Sequence, residues 1–300
     1  MQPAPTRGAG LAYHGARMRH DHILALVCPD RTGIVYRVSG LLFEQGCNIL
    51  DAQQFGDPES GRFFLRVHFD VPAPEALGQV RARFAELAAA FGMDWQIHDA
   101  RRRARLLVLV SRQGHCLNDL LFRTHSGQLR ADIAAVVSNH PDFAALAASY
   151  GVPFHHLPVD AGNRPQQEQA ILDLVEREQV DLVVLARYMQ VLSPRMCQAL
   201  AGRAINIHHS FLPSFKGARP YHQAHARGVK IIGATAHYVT ADLDEGPIIE
   251  QDVARVDHGM TPRDLIRVGS DIESQVLARA VRLHVEHRIL LNGHRTVVFR

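Results

Sequence analysis

The rhythm of apolar positions changes once along this chain, near residue 100. Before that point short apolar runs alternate with helical spacing. His22 to Cys28 is almost wholly apolar and reads as a buried strand. The turn Pro29-Asp30-Arg31-Thr32-Gly33 follows, with Asp30 or Thr32 placed to cap a helix. Ile34, Val35, Val38, Leu41 and Leu42 recur at helical spacing over Ile34 to Gln45, and Gly46 ends that helix. Asn48 to Phe55 and Arg62 to Phe69 read as strands around a Gly- and Pro-containing turn. Pro74 to Phe91 is a second amphipathic helix and Asp94 to His98 a last strand. The order βαββαβ predicts a ferredoxin-like split βαβ domain over residues 20–99.

Residues 100–105 carry the run Arg101-Arg102-Arg103-Ala104-Arg105, read as a solvated linker or strand entrance. From residue 106 to 300 strands and helices alternate. Leu106 to Ser111, Ile133 to Ser138 and Val180 to Ala186 are continuous apolar strands, separated by helical stretches near 115–126, 141–150 and 165–179. Such strands predict a mostly parallel, Rossmann-like α/β sheet covered on both faces, with ligands outside the carboxyl ends of its strands. A further strand, Ala204 to Ile207, carries Asn206 and His208 at its carboxyl end; Asn139 and Arg187 end two others. Lys230 to Thr240 and Ile248 to Asp252 flank a turn that puts Asp244 at a hairpin tip. A long helix, about Pro262 to Glu286, and a strand, Thr296 to Phe299, close the chain.

Composition narrows the function classes. Three hundred residues suggest two domains, and 47% hydrophobic content excludes a disordered protein. A net charge of +3 argues against a dedicated nucleic-acid partner. The four cysteines lack CxxC spacing and read as reduced, cytoplasmic thiols. No apolar run reaches the length of a membrane span. Residues 1–19 are rich in Gly, Ala and Pro without the apolar core of a signal peptide, and read as a disordered extension, with Met18 as an alternative start. Nineteen histidines raise a metal site. No HxxxH pair with a nearby acid exists, however, and His208 and His209 should leave opposite faces of their strand, so none is expected.

Asn206 and His208 are two apart and share a strand face. With the Asp244 carboxylate from the later turn, they supply an amide donor, an imidazole and an acid, the parts that polarise a carbonyl and move a proton. His209 should face away. His237, on the strand leading to Asp244, suits either a supporting role behind these three or a structural one.

Cys28-Pro29-Asp30-Arg31-Thr32-Gly33-Ile34 and Gly46-Cys47-Asn48-Ile49 resemble the ACT domain family. That resemblance implies homo-oligomers paired through this domain, and an amino-acid effector such as glycine or methionine near Asp30, Gly33 and Asn48. The second domain resembles the folate-dependent formyltransferase fold through Asn206-Ile207-His208, Leu212-Pro213, Gly233-Ala234-Thr235 and Asp244-Glu245-Gly246-Pro247-Ile248-Ile249. Gly114 to Leu121, Ser138-Asn139-His140, Gly217 to Ala224 and Leu291-Asn292-Gly293 extend the likeness to the formyltetrahydrofolate deformylase family over about residues 20–300.

The resemblance implies a cytoplasmic hydrolase of a linear amide bond. It would release formate and tetrahydrofolate from 10-formyltetrahydrofolate, its substrate, without a separate cofactor, balancing one-carbon pools and supplying formate for purine synthesis. Asn206 and His208 then polarise the formyl oxygen. Asp244 is the general base, its pKa raised by burial or by Glu245, or the partner that sets the His208 tautomer. Arg187, Tyr188, Met189, Gln190, Val191 and Leu192 line the pterin pocket, with Gln190 where relatives commonly carry a basic residue. Transferases of this fold cradle a substrate phosphate on a Gly-rich first loop. Here Ser111 to Leu117 holds one glycine, which favours water as acceptor. A catalytically dead amino-acid sensor is the competing class, and the intact Asn, His and Asp count against it.

Overall fold

The computed structural model describes residues 20–160, 162–210 and 220–300. The predicted extension (1–19) and the motif residues Phe211, Leu212, Pro213, Gly217, Ala218 and Arg219 lie outside them. The first domain runs β1 (Asp21–Pro29), α1 (Ile34–Glu44), β2 (Asn48–Asp57), β3 (Arg62–Asp70), α2 (Ala76–Phe91) and β4 (Asp94–Asp99). Its strands form an antiparallel sheet in the order β2-β3-β1-β4. Leu24, Leu26 and Phe69 from the sheet and Phe84 from α2 are fully buried in one core. The expected cap of α1 is not formed. Gly33 is the N-cap, at φ 93 and without a side-chain hydrogen bond, so neither Asp30 nor Thr32 serves. Glycine takes that left-handed turn without a Cβ clash.

The second domain continues with β5 (Ala104–Val110), α3 (His115–His125), β6 (Ala131–Ser138), α4 (Ala144–Ser149), β7 (Phe154–His156), α5 (Arg164–Arg177) and β8 (Leu182–Leu185). Then come α6 (Pro194–Ala199), β9 (Ala204–His208), α7 (Pro220–Ala226), β10 (Ile231–Tyr238), β11 (Ile248–Arg255), α8 (Pro262–Val285) and the hairpin β12 (Ile289–Asn292)–β13 (Arg295–Val298). Seven strands lie in the order β11-β10-β9-β8-β5-β6-β7; the β9-to-β7 portion is parallel, and β10 and β11 run antiparallel. Four short elements, β7, α6, α7 and β12, had no legible signal, because three to seven residues cannot display a period.

Burial explains the apolar runs. Leu106, Val108 and Val110 enter one core, Leu107 and Leu109 the core on the opposite face. A strand covered by helices on both sides has no polar face to show. Chain order reverses between β5 and β8, which opens a crevice at their carboxyl ends. Residues 101–103 of the basic run join β4 to β5, and Ala104 and Arg105 begin β5. Arg102 meets Asp181 at 2.9 Å, Arg103 meets Asp132 at 2.7 Å and Arg105 meets Glu178 at 3.1 Å. The domains are joined by the buried Arg66 of β3, which donates to the carbonyls of Glu286 and His287 at the end of α8, both at 3.1 Å. No helix among the described residues is long and apolar enough to cross a membrane.

Candidate active site

Strand pairing gathers the predicted trio. Asn206 on β9 sits opposite His237 on β10 in the antiparallel register, and the chain then turns through Asp244 before β11 returns. The turn is held close: a Cβ on Gly246 would lie 1.7 Å from the Tyr238 carbonyl oxygen, so only glycine fits. Asp244 takes φ 59, a left-handed value, and its Oδ1 lies 3.2 Å from His208 Nδ1 and 3.7 Å from His237 Nε2.

Each ring's proton follows from its neighbours. His237 Nδ1 lies 2.9 Å from the Tyr238 carbonyl, which only accepts, so Nδ1 carries the proton. Its Nε2 then accepts from Asn206 Nδ2 at 3.3 Å, which orients the amide. His237, 3% exposed, is hydrogen-bonded to Asn206. Asp244 departs from the raised pKa expected of a general base. The hydrogen bond from His208, foremost, holds its carboxyl far below the ordinary carboxylate range and outweighs burial, which alone would raise it. An anionic Asp244 accepts from His208 Nδ1–H. The Nε2 lone pair of His208 is left buried, with no partner among the described residues.

Arg187 to Leu192, the segment after β8, lines a cavity of about 280 Å³ together with Asn206, His208, His237 and Asp244. The six predicted pterin-pocket residues and the trio therefore face one space. Tyr188 is mostly turned inward, its hydroxyl 2.7 Å from Gln167 Nε2. Met189 and Val191 present apolar surface, at 59% and 52% exposure. A second cavity of about 450 Å³ opens over β5 and β6 and shares Arg187, Met189, Gln190 and His209 with the first.

His209 corrects the reading that it faces away. It lies one residue past the end of β9, where strand alternation no longer applies, and its ring stacks on that of His208 with centroids 4.8 Å apart. It lines both cavities. Four further residues, Gln113, His115, Tyr221 and Glu273, escaped the sequence reading as site components; they gather around the predicted Arg187. Arg187, at φ 64 and 7% exposed, donates to Gln113 Oε1 from Nε (2.8 Å) and Nη2 (2.6 Å), donates from Nη1 to His209 Nδ1 (2.6 Å), and pairs with Glu273 at 3.3 Å. Glu273 also meets His115 Nε2 at 2.8 Å and accepts from the Tyr221 hydroxyl at 2.6 Å. Burial alone would push the Glu273 carboxyl up, but the His115 hydrogen bond and the Arg187 charge bring it below its ordinary value. A signal did exist: Glu273 stands on the buried α8 stripe with Val276, Leu277 and Ala280, where an unpaired acid does not belong. His115, Cys116 and Glu273 place donor atoms within 4.8 Å of one another. Glu273 is already engaged by three donors and burial pushes the Cys116 thiol up, so the group suits a hydrogen-bond network better than a metal.

The effector residues do not form one site within a chain. Asp30 and Gly33 lie at the start of α1, Asn48 beyond its end. Through β3, Arg62 pairs with Pro29 and Asp70 with Asn48, so Asn48 and the Asp30 loop stand roughly 27 Å apart at about 3.4 Å per residue.

Residues 104–281 match the formyl transferase family and residues 22–87 the ACT domain family. Fold and site together define a formyl transferase-fold protein carrying an ACT domain. A formyltetrahydrofolate deformylase of Corynebacterium sp. (strain P-1) is 51% identical over 93% of this chain and 98% of its own. The crystal structure of the Burkholderia mallei deformylase is 54% identical with a TM-score of 0.89, covering 94% of this chain and all of that one. A glycinamide ribonucleotide transformylase structure from Symbiobacterium toebii matches less closely, at 35% identity and a TM-score of 0.63 over 66% of this chain and 95% of its own. The chain belongs to the formyltetrahydrofolate deformylase family.

Proposed function

We propose that this protein hydrolyses 10-formyltetrahydrofolate to formate and tetrahydrofolate, supplying formate for purine synthesis, with Asn206, His208 and Asp244 as the reacting trio. The observation that carries the reading is the Asp244–His208 pair at the wall of the cavity lined by Arg187 to Leu192. Asp244 anchors Nδ1–H, which leaves the His208 Nε2 lone pair to take a proton from water as the oxygen attacks the formyl carbon. Protonated, the same nitrogen becomes a donor and hands the proton to N10 as the C–N bond breaks. Asn206 has a second amide N–H for the developing oxyanion. Donor, base and anchor are all side chains, and the chemistry asks for no cofactor.

Water as acceptor is supported by the loop after β5. Gly114 has a negative φ of −101, and a Cβ there would lie 2.4 Å from the Phe143 ring, so its smallness serves packing. Gln113 is occupied by Arg187. Neither residue builds a phosphate nest. Formate release without an acceptor is the test; release that appears only with an added amine overturns the reading.

The ACT domain supports an amino-acid effector, which we place at the Asp30–Gly33 loop. Tyr36 and Phe43 on α1 are 78% and 81% exposed, which supports a homo-oligomer formed through this domain. Steady-state rates with and without glycine and methionine test the effector; unchanged rates at millimolar concentrations of both remove it.

A further inference from the structure

Two stacked histidines carry ring protons on opposite nitrogens, and that difference is not used by the trio alone. An arginine guanidinium has donors and no acceptor. Arg187 Nη1 lies 2.6 Å from His209 Nδ1, so Nδ1 accepts and the His209 proton sits on Nε2. The brace is firm: the guanidinium is tied on its other side to Gln113 and Glu273. His208 is the reverse, with its proton on Nδ1 toward Asp244 and its lone pair on Nε2. Both Nε2 atoms are buried and without partners among the described residues. Burial, followed by the charge of Arg187, lowers the His209 pKa to about 4, which keeps the ring neutral at physiological pH.

The geometry points to a water cradle: His209 Nε2–H holds the hydrolytic water by one lone pair while His208 Nε2 accepts one of its protons. This inference rests on the hydrolase reading above. The ring centroids are 4.8 Å apart. A buried donor beside a buried acceptor, each without a protein partner, is satisfied by one bridging water. Water held this way keeps its second lone pair for the formyl carbon. The new C–O bond forms as His208 takes one proton. The C–N electron pair then leaves on N10, which receives that proton, and the second proton leaves as formic acid ionises. His209 lines both cavities, so it stands where water enters between the pterin space and the chamber over β5 and β6.

Two conservative variants separate this role from bracing. His209→Asn offers Arg187 an amide oxygen near the Nδ1 position but does not reach the Nε2 position. His209→Gln does the reverse: its amide N–H reaches the Nε2 position and no acceptor stands at the Nδ1 position. Formate release by the unaltered protein is measured first, since its absence defeats the hydrolase reading and leaves the variants uninterpreted. With that in hand, His209→Asn should lose about 100-fold in kcat, the scale of one missing site donor, with KM within about threefold. His209→Gln should stay within about tenfold of the unaltered rate. Hydroxylamine, a stronger nucleophile than water, supplies the discriminating readout. In His209→Asn the ratio of formohydroxamate to formate should rise at least tenfold, because only the water reaction has lost its holder. A kcat within about threefold, or a parallel fall of both products at constant ratio, overturns the proposal. So does a folded His209→Gln as slow as His209→Asn.

Discussion

A carboxylate held far below its ordinary pKa is a poor proton acceptor and a good anchor, and Asp244 is such a group. In the proposed reaction its value is that it keeps the His208 proton on Nδ1. In Asp244→Asn the amide nitrogen can turn to donate to Nδ1, which moves the proton to Nε2 and removes the base. A tautomer error of this kind costs about 10⁴-fold in the serine protease triad. We expect Asp244→Asn to bind folate within a few-fold of the unaltered protein while kcat falls by about 10³ to 10⁴. Unchanged turnover would remove Asp244 from the mechanism. Glu273 is the second decisive acid, because it neutralises Arg187 in a buried place. Glu273→Leu leaves that cation uncompensated and should cost about 3–5 kcal/mol in the denaturant midpoint analysis. A loss under 1 kcal/mol, as expected for an exposed pair, would show that Arg187 relaxes into solvent.

At the scale of elements, the site depends on how tightly the turn between β10 and β11 is drawn against its own strand. The Gly246 contact with the Tyr238 carbonyl leaves no room for a methyl group. Gly246→Ala must shift the turn and carry Asp244 away from His208. Kinetics should show kcat reduced by at least tenfold, and calorimetry a stability loss of about 1–3 kcal/mol typical of overpacking. An unaltered kcat would mean that the turn yields without moving Asp244. Most elements were legible in the sequence. Leu106 to Ser111 read as buried because both faces of β5 are covered, and Ala204 to Ile207 read as a strand ending at the site because its motif residues stop there. Short α6 and α7 were not legible, and neither was the face of His209, which sits just beyond the last residue that obeys strand alternation.

For the whole molecule, acid should loosen the join between the domains. His98 and His287 stack at 3.5 Å with planes 7° apart. Burial lowers the pKa of His284 to about 4 and of His287 to about 3. In the unfolded chain a histidine titrates near about 6.5, so below that pH the unfolded state binds more protons than the folded one. Stability should therefore be flat with respect to these groups above about pH 6.5 and fall as the pH drops toward about 4. Chemical denaturation at stepped pH measures the slope. His287→Asn, tolerated at its left-handed φ of 52, should flatten it; an identical slope would clear His287 of responsibility. Light scattering on Phe43→Glu addresses the other large-scale property. The variant should be smaller than the unaltered protein if the exposed face of α1 is the joining surface, and equal size would direct attention elsewhere.

Local periodicity was enough to read two domains, their order of elements and the strand end that bears Asn206 and His208, because burial imposes its period on neighbouring residues. The resemblance to the formyltransferase fold pointed to the same trio and implied the segment Arg187 to Leu192. Three matters lay beyond that reach. The direction of the Asp244 pKa depends on which groups come within hydrogen-bonding distance, and a histidine 36 residues earlier prevails over burial. The Arg187–Glu273 pair joins the end of β8 to the middle of α8, a contact set by sheet order. Asp30 and Asn48 look close in sequence, but α1 lies between them and carries them to opposite ends of one domain. A chain's repeating pattern records which side of an element is buried. Which polar atoms then meet is a property of the packed topology.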